Sequence, residues 1–174
     1  MNPTGYFRIN PKTQYPEDVW FDTRALIINK EFWNSIRSDI LEMMKDSGPV
    51  VLYQLGLNAG SRIGVKACGF SDDWLAAFHS LADYCFDAGW GRIEISDKDY
   101  SQDSLNRAVL IVRDNFFVQG RSSSPSGPNC YFLSGMIAGI ARGLLHEAYR
   151  CVELSCMAAG SPDCRFRLLR HDLE

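Results

Sequence analysis

Apolar residues recur at three- and four-residue intervals through the first half of the chain, then switch to a shorter strand-like period after residue 90. RALIINKEFWNSIRSDILEMMKDSG places Phe32, Ile36, Ile40 and Met43 on one helical face, with Asn29 as N-cap and Gly48-Pro49 as the stop. PVVLYQLGLNAGSRIGVKACG predicts a second helix that opens with proline in its first turn and closes near Gly69. SDDWLAAFHSLADYCFDAG predicts a third, with Ser71 as its cap, acids in the first turn and Gly89 as its end. Residues 1–24 carry three prolines and no sustained period. We read them as an extended arm ahead of a single domain over 25–174.

WGRIEISDKD and SLNRAVLIVRDNFFV are rich in β-branched and aromatic residues around a polar turn, and predict two strands. QGRSSSPSGPN is a loop by composition. NCYFLSGMIAGIARGLLHEA predicts an apolar helix, and YRCVELSCMA and CRFRLL two closing strands joined through AAGSPD. Helices, strands, one helix, strands: this order predicts an α+β domain with helices packed on an antiparallel sheet.

Composition narrows the function classes. A chain of 174 residues can bury a core without covalent help, and a net charge of −3 with no basic run argues against nucleic acid as a partner. The N-terminal stretch lacks the apolar core of a signal peptide, and no apolar run is long enough for a membrane span. A cytoplasmic location is the expectation. The six cysteines are then read as thiols, metal ligands or redox groups before disulfides.

Glycine recurs every fourth residue in two predicted helices, at Gly56, Gly60 and Gly64 and at Gly135, Gly139 and Gly143. Each costs about 1 kcal/mol against alanine in a helix, so the stripes need compensation, either close helix packing or a pocket wall. Cys68, Cys85 and Cys151 read as buried thiols. Cys156 and Cys164 flank Gly160-Ser161-Pro162-Asp163, and a turn there brings both sulfurs to one end of a strand pair, with Glu153 nearby. Cys130, before a helix, is a candidate fourth ligand for zinc. A redox pair Cys156–Cys164 and unligated thiols remain the alternatives on spacing alone. His79, His146 and His171 lack metal-pair spacing, Ser134-Gly135 is no nucleophile elbow, and His146-Glu147 are adjacent helix positions that do not face each other.

The run from Asn129 to Leu169 resembles the 4-vinyl reductase-type domain: a cysteine-started helix with small residues, E-x-x-C, a Gly-containing turn, then a cysteine before an aromatic strand. The resemblance is strongest over residues 115–170. That family includes stand-alone proteins of chlorophyll metabolism, archaeal relatives and sensor domains of phenol-responsive activators. It implies a fold shared with TRAPP vesicle-tethering subunits, a homodimer through the N-terminal region, and a structural zinc held by Cys130, Glu153, Cys156 and Cys164. It also implies a pocket between helices and sheet for a flat, mostly apolar molecule. Trp74, Phe78, Trp90, Phe116, Phe117, Tyr131 and Phe132, with Gly135 and Gly139 as small wall positions, are the residues available to line it. The chain continues only four residues past Arg170, so the ATPase and DNA-binding domains of the activators are not expected.

The resemblance thus implies a zinc-containing, non-catalytic carrier or binder of a tetrapyrrole (a chlorophyll precursor or bilin), or of another flat aromatic. A dimeric adaptor with a vestigial pocket and a vinyl reductase component are the competing readings. The last needs a hydride or electron source, and the chain shows no nicotinamide or flavin fingerprint. Redox sensing by zinc thiolates is also open.

Overall fold

The computed structural model describes residues 5–101, 104–118 and 129–171, the side chains of Tyr100, Ser101 and Ser104 excepted. The elements are β1 (Phe7–Ile9), β2 (Pro16–Asp18), β3 (Thr23–Arg24), α1 (Lys30–Met44), α2 (Gly48–Ala67), α3 (Trp74–Asp87), β4 (Arg92–Ser101), β5 (Ser104–Arg113), α4 (Tyr131–Leu145), β6 (Tyr149–Ser155) and β7 (Cys164–Arg170). The order is α+β, as the apolar pattern predicts. Residues 119–128 of the expected loop QGRSSSPSGPN lie outside the described residues.

β4 to β7 form one sheet in the order β4-β5-β7-β6, every neighbouring pair antiparallel. Alternation puts Leu110 and Val112 of β5, Phe166 and Leu168 of β7 and Cys151 of β6 on the buried face. Arg165 and Arg167 point the other way and are exposed. α4 packs on β6 and β7 and is buried on nearly every side, from Leu133 through Ala141 without a break.

The two glycine stripes face each other across α2 and α4, the most extensively packed pair of elements. A Cβ at Gly60 would collide with the carbonyl of Met136, and one at Gly139 with the carbonyl of Leu57. The backbones touch where side chains would otherwise stand, which is the compensation six helical glycines require.

Several elements depart from the sequence pattern. α1 is capped by Asn29, whose side chain accepts from the Phe32 N–H at 2.9 Å, but the apolar face expected to be buried is turned outward. Phe32 is 54% and Met43 78% exposed. The buried side belongs instead to Trp33 and Arg37, two long side chains one turn apart, with Arg37 buried and Trp33 stacked on Phe132. Period alone finds a face; it does not say what the face meets. The cap of α3 is Asp73, which accepts from the Leu75 N–H at 3.0 Å, while Ser71 only accepts from the Asp73 N–H.

The stretch read as an arm contains a three-stranded antiparallel sheet, β1-β2-β3. Its strands are two and three residues long, too short to show a period. Trp20 and Tyr6 pack on Tyr84 of α3, and Asp18 accepts from the Tyr84 hydroxyl at 2.6 Å. Finally, the strand expected to run to Val118 stops at Arg113, because Asp114 takes a φ of +52° and Phe116–Val118 form a single tight turn. No helix among the described residues is long and apolar enough to cross a membrane.

Candidate metal centre

Four side chains from three elements converge at one end of the sheet. Cys130 is the residue before α4. Glu153 lies on β6, where regular alternation would send residues three apart to opposite faces. A register shift between Glu153 and Ser155 breaks that alternation, and both Glu153 and Cys156 are buried. After Cys156 the chain turns tightly: the Cys156 carbonyl accepts from the N–H groups of Ala159 and Ser161, and Gly160 takes a φ of +90°. That turn returns the chain to Cys164, the first residue of β7.

The sulfur of Cys130 lies 3.8 Å from that of Cys156 and 3.8 Å from that of Cys164. A disulfide needs about 2.0 Å, and all three are free thiols. A tetrahedral ion with metal–sulfur bonds of about 2.3 Å has sulfur–sulfur edges of about 3.8 Å. With a carboxylate oxygen of Glu153, the four donor atoms all lie within 4.8 Å of one another, and all four residues are buried.

The Glu153 carboxylate gives the sharpest sign of what the cluster can hold. Its Oε2 accepts from the N–H groups of Asn129 at 2.6 Å and Cys130 at 3.0 Å. Its Oε1 is buried with no hydrogen-bond partner among the described residues. A buried, unpaired carboxylate oxygen among three thiols is costly unless a cation meets it. In the absence of an ion, burial pushes the Glu153 carboxyl up to about 7. Hydrogen bonds from Cys130 and Cys156 pull the Cys164 thiol well below the usual thiol range, while Cys130 is driven the other way by the same kind of bond. The cluster thus concentrates one negative charge on Cys164. These residues fit a metal ion, held entirely by protein.

Around the donors stands a polar layer that the sequence did not reveal. Asn115 is fully buried, and its Nδ2 donates to Cys130 Sγ at 3.4 Å and Cys164 Sγ at 3.3 Å. The Met157 N–H donates to Cys164 Sγ at 3.3 Å. Arg37 reaches from α1 to the Asn129 carbonyl at 3.3 Å, next to Cys130. Asn115 sits in what reads as a strand, and an asparagine carries no spacing signal. Only the arrest of β5 at Asp114 exposes its role.

The remaining cysteines stay apart. Cys151 and Cys85 are buried, burial pushing the Cys85 thiol up to about 12, and Cys68 donates to the Gly143 carbonyl at 3.4 Å. His146 caps α4 with a φ of +57°, and Glu147 accepts from Arg170. Those two neighbours serve the helix end.

The residues proposed for a ligand pocket divide among three places. Trp74 and Phe78 line an apolar slot between α3, α4 and the sheet, closed by Ile95, Leu110, Ile137 and Leu168, with about 20 Å³ of free space. Trp90, Phe116, Phe117 and Phe132 belong to an aromatic cluster completed by Trp33, with ring centres 4.8 to 5.9 Å apart. The Trp33 indole Nε1 there is buried without an acceptor among the described residues. Tyr131 is half-buried at the start of α4. Gly135 and Gly139 are packed against the α2 backbone, which fills the space a ligand would need.

Fold and site define an α+β domain whose helices cover an antiparallel sheet and whose final strands carry a closed thiolate–carboxylate cluster. Residues 109–170 match the family model of the 4-vinyl reductase-type (V-4-R) domain, a span that runs from β5 to the end of β7 and contains all four donors. The phenol-responsive sensory domain of the transcription activator PoxR, solved with phenol, superposes with a TM-score of 0.79 at 14% identity, covering 97% of this chain and 87% of that one. A vinyl-4-reductase family protein from Methanocaldococcus jannaschii gives 0.62 at 17% identity, covering 85% of each chain. A trafficking protein particle complex subunit 3 from Naegleria fowleri, covalently bound to palmitic acid, gives 0.58 at 15%, covering 82% of this chain and 93% of that one. At such identities these neighbours show the fold, and it is the fold that the terminal motif implied, common to 4-vinyl reductase-type domains and TRAPP subunits. No curated protein sequence matches the chain.

Proposed function

We propose that this chain is a small-molecule-binding module whose terminal strands are fastened by a structural zinc ion bound to Cys130, Glu153, Cys156 and Cys164. The observation that carries the metal assignment is the unpaired Oε1 of Glu153 facing three thiols spaced as a tetrahedral edge. Three soft thiolates and one carboxylate suit zinc, and four protein donors leave no open position for a substrate. The ion fixes the start of α4 to the β6–β7 turn.

Ligand binding rests on the fold shared with a phenol-bound sensory domain. Two features support it. The slot beside Trp74 and Phe78 is walled by apolar side chains, and the buried Trp33 Nε1 offers a donor to a ligand oxygen. Free space of about 20 Å³ holds roughly one water. A single aromatic ring or a chain enters after a rotation of Trp74 or Phe78, whereas a tetrapyrrole demands a far larger opening. The small ligand is therefore the leading reading, and the tetrapyrrole the second. A homodimer through the exposed face of α1 and a cytoplasmic setting, which keeps the thiols reduced, belong to the same proposal.

Native mass spectrometry of freshly purified protein tests the reading in one measurement. The expected spectrum shows one zinc per chain, lost in Cys130→Ser. Less than half a zinc per chain, with Cys130→Ser indistinguishable from the parent, removes the metal assignment. Titration with phenol and with a bilin, read by tryptophan fluorescence, ranks the ligands. Phenol binding weakened in Phe78→Ala supports the slot, and no response to either probe overturns it.

A further inference from the structure

We propose that Asn115 is the positioning residue of the metal centre, locking the Cys130 and Cys164 thiolates in binding geometry and setting how tightly the ion is held. The inference rests on the metal reading above and extends it to a residue outside the ligand set.

The two sulfurs it touches come from parts of the chain that share no local framework: Cys130 precedes a helix and Cys164 opens a strand. Asn115 spans them with one amide nitrogen, at 3.4 and 3.3 Å. Its own position is fixed from the other side, because Oδ1 accepts from the Phe117 N–H at 3.0 Å. That bond also settles which end of the amide faces the metal site. Flipped, the oxygen would meet two thiolates and the nitrogen would meet an N–H, both repulsive. The backbone is shaped to deliver this side chain. Asp114 takes a φ of +52°, ending β5, and Gly91, at a φ of +123°, packs where a Cβ would strike the carbonyls of Arg113 and Asp114. Asn115 is fully enclosed as a result.

Three thiolates, one carboxylate and a divalent ion carry a net charge of −2 in a buried site, so donors aimed at the sulfurs contribute electrostatically as well as geometrically. Cys164, which receives N–H groups from both Asn115 and Met157, is where that charge is best supported. Outer partners of this kind are worth about 10- to 100-fold in metal affinity.

Asn115→Asp separates this role from a merely structural one. Aspartate keeps the acceptor for Phe117 N–H and removes the donors to sulfur. Asn115→Ala removes both. Zinc affinity would be measured by chelator competition on the full chain, and the cobalt-substituted protein followed through its thiolate-to-cobalt charge-transfer band. The expected result is a roughly 10- to 100-fold weaker Kd for Asn115→Asp, at least as large as for Asn115→Ala, with a shifted cobalt band in both. If Asn115 only supports the turn, Asn115→Asp stays within about twofold of the parent and Asn115→Ala is the worse of the two; that outcome overturns the proposal. Should Asn115→Asp not fold, Asn115→Ala decides through the same affinity and cobalt band, an unchanged pair sinking the idea. A parent protein that binds neither zinc nor cobalt removes the metal reading itself, and this inference with it.

Discussion

The Tyr84 hydroxyl lies 2.6 Å from the buried carboxylate of Asp18, and this one bond joins the small N-terminal sheet to α3. Burial, then the bond to Asp18, drives the Tyr84 hydroxyl far above the ordinary tyrosine range. Tyr84→Phe leaves the ring among Tyr6, Trp20 and Phe21 but withdraws a donor from Asp18, and the expected loss is about 1–3 kcal/mol in urea unfolding. The sign with pH follows from linkage. The unfolded tyrosine ionises near its ordinary value of about 10, while the folded one keeps its proton. Stability from this group is complete below that pH and declines above it, so the parent should lose stability faster than Tyr84→Phe between about pH 10 and 11. Equal slopes would show that Tyr84 ionises freely in the folded state. The same scale shows what the sequence can reveal. Cys130, Glu153, Cys156 and Cys164 were legible because metal ligands need rare residue types at fixed spacing. Asn115 and Trp33 were not, because their roles arise from a strand that stops early and a helix whose apolar face turns outward, and neither leaves a spacing in the chain.

Elements were legible wherever a long amphipathic or glycine pattern had a geometric consequence. The two stripes from Gly56 to Gly64 and from Gly135 to Gly143 announced close packing, and their partner turned out to be each other. Adding a methyl at Gly139 gains about 1 kcal/mol of helix propensity. It also drives a Cβ into the Leu57 carbonyl, a backbone atom that can yield only if α2 moves. Overpacking of a core typically costs about 1–3 kcal/mol, and a backbone obstacle belongs at the upper end. Gly139→Ala should therefore lower Tm by several degrees, about 2–4 °C per kcal/mol for a chain of this size. Gly69→Ala is the control, since a Cβ there meets nothing within 4 Å among the described residues and Tm should hold or rise. A Gly139→Ala variant as stable as the parent would mean the helices are not in backbone contact. Short elements were beyond the sequence reading. β3 has two residues, and a period cannot be read from two positions.

At the level of the whole molecule, the outward apolar face of α1 is a liability for an isolated chain. Phe32, Ile36, Met43 and Met44 are exposed on one helix, and the segment leading into it adds Leu26 at 80% and Ile27 at 85% exposure. Single exposed apolar residues are normal on a protein surface; a helix face and its lead-in together form the kind of patch that marks an interface. A second copy is the simplest occupant, because a two-fold axis lets one apolar face cover another with no further partner. Trp33 and Arg37 on the opposite side of α1 reach Phe132 and Asn129, so this helix connects the exposed face to the edge of the metal centre. Light scattering coupled to size exclusion should find a dimer at micromolar concentration. Phe32→Glu combined with Met43→Glu should give a monomer with unchanged circular dichroism, since both side chains are exposed and neither supports the core. A parent that runs as a monomer, or a double variant that stays dimeric, would place the interface elsewhere. Comparing zinc release from dimer and monomer then measures the connection through α1: faster release from the monomer is the outcome expected if Arg37 holds Asn129 in place only when the helix face is covered.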